Sequence, residues 1–69
     1  MQSYTGVFIK DGEWISAFIE EIPGVNTQGK TLEEAKENLV DALKMIIEIR
    51  KEKVDKYKDL LIKKEVINI

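Results

Sequence analysis

WISAFIEEIPGVNTQGKTLEEAKENL, residues 14–39, holds a strand, a break, a second strand and a helix start in close succession. Its first six residues are dense in β-branched and aromatic side chains, which suit a pleated, half-buried strand. Pro23-Gly24 ends that strand, because proline has no N–H for a ladder and glycine tolerates a sharp reversal. Residues 25–29 then suffice for a short, edge-like third strand that stops at Gly29. Thr31 and Glu34 make a capping box: the hydroxyl can accept an early helix N–H while the carboxylate reaches back to the cap residue. Beyond it, Leu32, Ala35, Leu39, Ala42, Leu43, Ile46 and Ile49 recur at three- and four-residue steps. That spacing predicts a helix whose apolar stripe is broad enough to cover a sheet. Over residues 50–58 only Val54 and Tyr57 continue the stripe, so a continuous helix and a kinked restart both fit.

On the N-terminal side, Asp11-Gly12 suits a two-residue type I′ turn between apolar runs, which predicts a hairpin. With those two as the loop, Lys10 pairs with Glu13, Ile9 with Trp14, Val7 with Ser16 and Thr5 with Phe18. One face then carries Val7, Ile9, Trp14 and Phe18, and the other Tyr4, Gly6, Phe8, Ile15, Ala17 and Ile19. The small side chains of Gly6 and Ala17 favour the second face for the helix. The first face is left for another chain, and Val7, Ile9, Trp14 and Phe18 are the candidate protein-interface residues.

Residues 65–69, Glu-Val-Ile-Asn-Ile, are β-branched and need a sheet edge to be ordered. They are expected to form a fourth strand. The expected fold is therefore α+β with the order β-β-β-α-β: a three-stranded antiparallel meander, one main helix on one face, and a C-terminal strand. A right-handed crossover through the helix returns that last strand parallel to strand 1, most simply beside it. All 69 residues are expected to make a single domain, 1–69, with no internal repeat or low-complexity segment.

For so short a chain the hydrophobic gain about equals the conformational cost of folding. With no cysteine and no histidine, neither a disulfide nor a conventional structural zinc site can make up the difference. Homo-oligomerisation, as a dimer or tetramer, is the expected remedy. Eleven basic and thirteen acidic residues give a net charge of −2, without the cationic surplus of most nucleic-acid binders. Lysines 51, 53, 56, 58, 63 and 64 alternate with Glu52, Asp55, Asp59 and Glu65, as on a solvated face. No apolar run approaches the length of a membrane span, and a soluble, cytoplasmic protein is expected.

The same absences remove Ser-His and Cys-His nucleophiles and imidazole or thiolate metal sites. Glu20 and Glu21 are strand neighbours pointing to opposite faces, unsuited to sharing a substrate as acid and base. A β-β-β-α-β order is like the start of a ribonuclease H fold, but strand 1 offers no interior acid and Asn68 stands in the last strand. Glu37 and Asp41 on the helix thus lack convergent partners for divalent metal. Gly24 and Gly29 bracket residues 25–28 ahead of the helix in neither a Walker nor a dinucleotide spacing, so turn formation is the better reading. No catalytic residue, cofactor or metal is assigned, and the chain is expected not to be an enzyme.

Residues 14–39 resemble the N-terminal domain of HicB-like antitoxins, through Pro23-Gly24, Thr27-Gln28-Gly29, Thr31 and Glu33-Glu34-Ala35. The preceding hairpin and the terminal strand also fit, so the resemblance covers nearly the whole chain. It implies a partial ribonuclease H-like fold, homo-oligomerisation, and masking of a HicA-type toxin, a small ribonuclease with a double-stranded-RNA-binding-domain fold and a catalytic histidine. Fuller members carry a C-terminal helix-turn-helix or ribbon-helix-helix domain that binds DNA. No counterpart is expected here, nor is direct DNA binding. The alternative is a stand-alone homo-oligomeric module with another protein or small-ligand partner.

Overall fold

A computed structural model describes residues 3–69. The elements are β1 (Gly6–Asp11), β2 (Trp14–Ile19), β3 (Asn26–Gly29), α1 (Leu32–Lys56) and a 3₁₀ turn at Lys58–Leu60. The strands form an antiparallel sheet in the order β1-β2-β3, giving an α+β fold of three strands followed by one helix.

The hairpin closes one residue later than the Asp11-Gly12 reading. Asp11 pairs with Trp14, so Gly12 and Glu13 are the loop, and Gly12 alone takes a positive φ of 63°. A glycine at the first loop position is the type II′ pattern, which spares Asp11 the left-handed backbone that a type I′ turn would demand of it. Ile9 consequently faces Ser16, and Val7 faces Phe18. The division of faces is unchanged: each pairing moves by two residues on β2, and a shift of two returns every side chain to its own side.

Helix α1 lies on the face that holds Gly6 and Ala17. Ala17, Ile19, Ile22, Val25, Ala35 and Leu39 form the buried core, with Tyr4, Ile15, Ala42, Leu43 and Ile46 packed against it. The approach is closest at Gly29, where a Cβ would stand 2.5 Å from the Ala35 nitrogen. At Gly6 a Cβ would meet Leu39 Cδ2 at 3.1 Å and the Phe8 ring at 3.2 Å. Phe8, on the face expected to meet the helix, lies beside Gly6 at the margin and stays exposed. Thr31 caps the helix, its hydroxyl accepting from the Glu34 N–H at 3.1 Å, while the carboxylate half of the box does not form. The helix runs unbroken through Lys56, which resolves residues 50–56 as helix.

The fourth strand is the main correction. Residues 61–69 carry neither helix nor strand, and their apolar side chains stand in solvent, Ile62 at 98% exposure and Ile67 at 80%. The physical reason lies in α1, which stays helical past the sheet and carries the chain away from the β1 edge. A β-branched segment with no edge beside it has no ladder to join.

Gly29→Ala should destabilise the fold by about 1–3 kcal/mol, since the clash is with backbone that cannot rotate away. Thr31→Ala should cost about 1 kcal/mol through the lost cap bond. Urea denaturation midpoints check both, and a Gly29→Ala midpoint at or above that of Thr31→Ala would contradict the close packing.

Candidate functional site

The ladder dictates what the uncovered face displays. Ile19 N–H donates to the Val25 carbonyl and Glu20 N–H to the Thr5 carbonyl, which fixes the alternation on both sides of β2. Val7, Ile9, Trp14 and Phe18 all stand on the side away from α1, as their strand positions require. Val7 and Phe18 are direct cross-strand partners, and both are half-buried. Ile9, opposite Ser16, is 50% exposed and Trp14, opposite Asp11, is 39% exposed. Ser16 Oγ donates to Asp11 Oδ2 at 3.4 Å between them. The four candidate interface residues therefore share one surface.

Sequence reading missed the third strand's part in this face. Asn26 pairs with Phe18 and Gln28 with Ser16, so both lie on the open side. The next pair in that register would be Lys30 with Trp14, and Lys30 Nζ sits 5.4 Å from the indole centroid. A cation over an aromatic face is attracted by the ring quadrupole and orients the ring. Extending the β2–β3 alignment by one residue was the available signal for Lys30. The face thus has an apolar centre on β1 and β2 and a polar margin of Asn26, Gln28 and Lys30 along β3. That is the usual anatomy of a protein interface.

The candidate chemical groups are placed otherwise. Glu21 is held by Thr5, whose N–H donates to Oε1 at 2.7 Å and whose hydroxyl donates to Oε2 at 2.6 Å. This exposed clasp ties the start of β1 to the turn after β2, and the carboxylate is already engaged. The Thr5 hydroxyl, and next its N–H, hold the Glu21 carboxyl below its ordinary value of 4.5. Glu37 and Asp41 are exposed on α1, and no cluster of three or more acidic side chains that could hold a metal occurs among the described residues. Gly29 is closed off by Ala35, and Gly24, at φ 89°, forms the turn after Pro23, so the two glycines do not frame an anion cradle. No helix among the described residues is long and apolar enough to cross a membrane.

No protein-family model matches this sequence, and no curated protein or solved structure matches it either.

Because the folded carboxyl titrates below the unfolded one, the Glu21–Thr5 clasp contributes fully above the unfolded value. It is lost as the pH falls through the folded value. Unfolding midpoints measured downward from pH 6 should fall more steeply below about 4.5 for the parent chain than for Glu21→Gln. Parallel curves would show that the clasp does not persist in solution.

Proposed function

We propose that this chain is a HicB-like antitoxin that binds and masks a HicA-type ribonuclease toxin without catalysing a reaction. The observation that carries the reading is the uncovered face of Val7, Ile9, Trp14 and Phe18 beside the polar margin of β3. A hairpin, the Pro23-Gly24 turn, a short edge strand and a Thr31-capped helix occur in the order that the resemblance over residues 14–39 implies. An apolar patch rimmed by polar side chains is suited to capturing a protein surface. In this reading the action is cytoplasmic, and residues 65–69 supply the remaining strand of a partial ribonuclease H-like sheet, parallel to a β1 edge, only once the chain associates.

A second reading, a stand-alone homo-oligomeric binding module, is favoured by one specific quantity. The chain exposes 6374 Å², against about 4,500 Å² for a compact monomer of its mass. An excess on the order of 1,900 Å² exceeds the roughly 800 Å² each partner contributes to a standard interface. Self-association and toxin capture are compatible if they use different parts of this surplus.

The experiment combines the purified chain with a small, basic, histidine-containing protein encoded beside it and follows RNA cleavage. Suppressed cleavage is expected; full cleavage at saturating chain would remove the antitoxin reading. Trp14→Ala should weaken capture about thirtyfold or more, as truncation of a central interface tryptophan does. Its unfolding free energy should move by only about 0.5 kcal/mol, as expected for a solvent-facing residue. Phe18→Asp should likewise impair capture more than folding, measured by titration calorimetry and urea denaturation on the same sample.

A further inference from the structure

The two edges of the sheet are not equivalent. Ladder alternation turns Val25, Thr27 and Gly29 toward β2, leaving Asn26 and Gln28 to face outward from β3. There α1 intervenes: Asn38 Nδ2 donates to the Gln28 carbonyl at 2.9 Å and occupies part of that edge. On β1 the same alternation turns Thr5, Val7, Ile9 and Asp11 inward and leaves the N–H and C=O groups of Gly6, Phe8 and Lys10 facing outward. None of these six outward groups makes a hydrogen bond among the described residues. An open strand edge is a template for another strand.

The same molecule carries a strand-like segment without an edge. Val66, Ile67 and Ile69 are β-branched and exposed at 80% or more. Among the described residues, the exposed Lys63–Glu65 ion pair is the one side-chain interaction within residues 62–69 of the chain, and such pairs contribute little.

Reach decides whose edge the segment takes. Ile47 and Arg50 flank a cavity with Ser3, Tyr4, Glu21 and Ile22, so the helix passes the base of the sheet there. Residues 51–56 and the 3₁₀ turn carry the chain about 15 Å further, at about 1.5 and 2.0 Å per residue. Regaining the flank of β1 means retracing that distance, moving sideways by about two strand spacings, roughly 10 Å, and dropping about 10 Å between layers. The displacement is on the order of 20 Å. Five extended steps from Leu60 to Glu65 span at most about 18 Å. A return to the chain's own β1 therefore takes up nearly the full extension of that linker, whereas a second copy can present its edge where the segment already lies. The principal extent of 48 Å and the large exposed surface come with a helix end and tail that pack on nothing else among the described residues of their own chain.

We infer that residues 61–69 of one copy cross to a second copy and pair with its open β1 edge at Gly6, Phe8 and Lys10, while the second copy reciprocates. The result is a closed, strand-exchanged dimer of the kind that two-fold symmetry permits. This rests on the fourth strand of the functional reading and not on toxin binding, and it leaves the Trp14 face free.

The chain has no cysteine, so single thiols can be placed at will. Lys10→Cys and Asn68→Cys variants, unfolded and refolded together, are treated with a short bis-maleimide, and the Lys10→Cys, Asn68→Cys double variant is treated alone. Exchange predicts mixed Lys10–Asn68 covalent dimers from the pair and dimers from the double variant. An internally closed monomer from the double variant would mean that the segment returns to its own sheet. Dimers from Lys10→Cys alone would mean that two β1 edges pair directly, and no cross-linking would mean an edge left empty; each overturns the inference. Sedimentation of the full chain should give twice 8.0 kDa, falling to the single-chain mass when residues 65–69 are removed. A dimer that survives this removal but is lost in Phe18→Asp would also overturn it, placing self-association on the sheet face. Toxin suppression is read in a separate assay, so either proposal can fail while the other stands.

Discussion

The approach of α1 to β3 at Gly29 is the contact on which the remaining architecture depends. With hydrogen in place of a Cβ at Gly29, the first turn of the helix comes down onto the end of the strand, and Ala35 is left with no exposure. Leu39, one turn further on, then falls over Gly6, and the buried side chains gather between helix and sheet. Asn38, on the flank of the same turn, is brought to the Gln28 carbonyl. One small residue thus lets the helix down onto the sheet, positions the core and brings Asn38 to an edge. The Trp14 face and the β1 edge are open because the helix is committed elsewhere.

Much of this was legible because it depends on parity and spacing. The helix start follows from Thr31, and the sorting of Val7, Ile9, Trp14 and Phe18 from Gly6, Ala17 and Ile19 follows from strand alternation. The turn was misassigned because Asp-Gly is a strong type I′ signal, and Gly12 satisfies a type II′ turn equally well when it stands first in the loop. Parity made that error harmless for the faces. It changed the direct partners, so the pairing of Val7 with Phe18 could not be foreseen.

What sequence did not disclose depends on three-dimensional extent. The polar margin of the open face comes from β3, whose side chains can be assigned only once its alignment with β2 is known. Lys30 lies beyond the last strand residue and still reaches Trp14. The fate of residues 65–69 was hidden for another reason: β-branched composition states a willingness to pair but does not say where an edge is. The length of α1 answers that, and its last turns have little apolar periodicity to mark where they stop.

Core size and edge asymmetry bear on each other. Among the described residues, two of the six buried apolar ones are alanines, which bring little area, while larger side chains such as Ile49, Met45 and Ile9 remain exposed. A chain with so small a core gains comparatively little from closing on itself, and its surplus apolar surface lies on the open sheet face, the helix flank and the tail. Natural sheets guard edges that must stay unpaired with charge, proline, bulges or covering side chains. Here Asn38 guards β3, whereas β1 offers three successive outward-facing residues with only Lys10 charged among them. With Asn38 bonded to one edge and the other edge open, the freer template for an added strand in this sheet is β1.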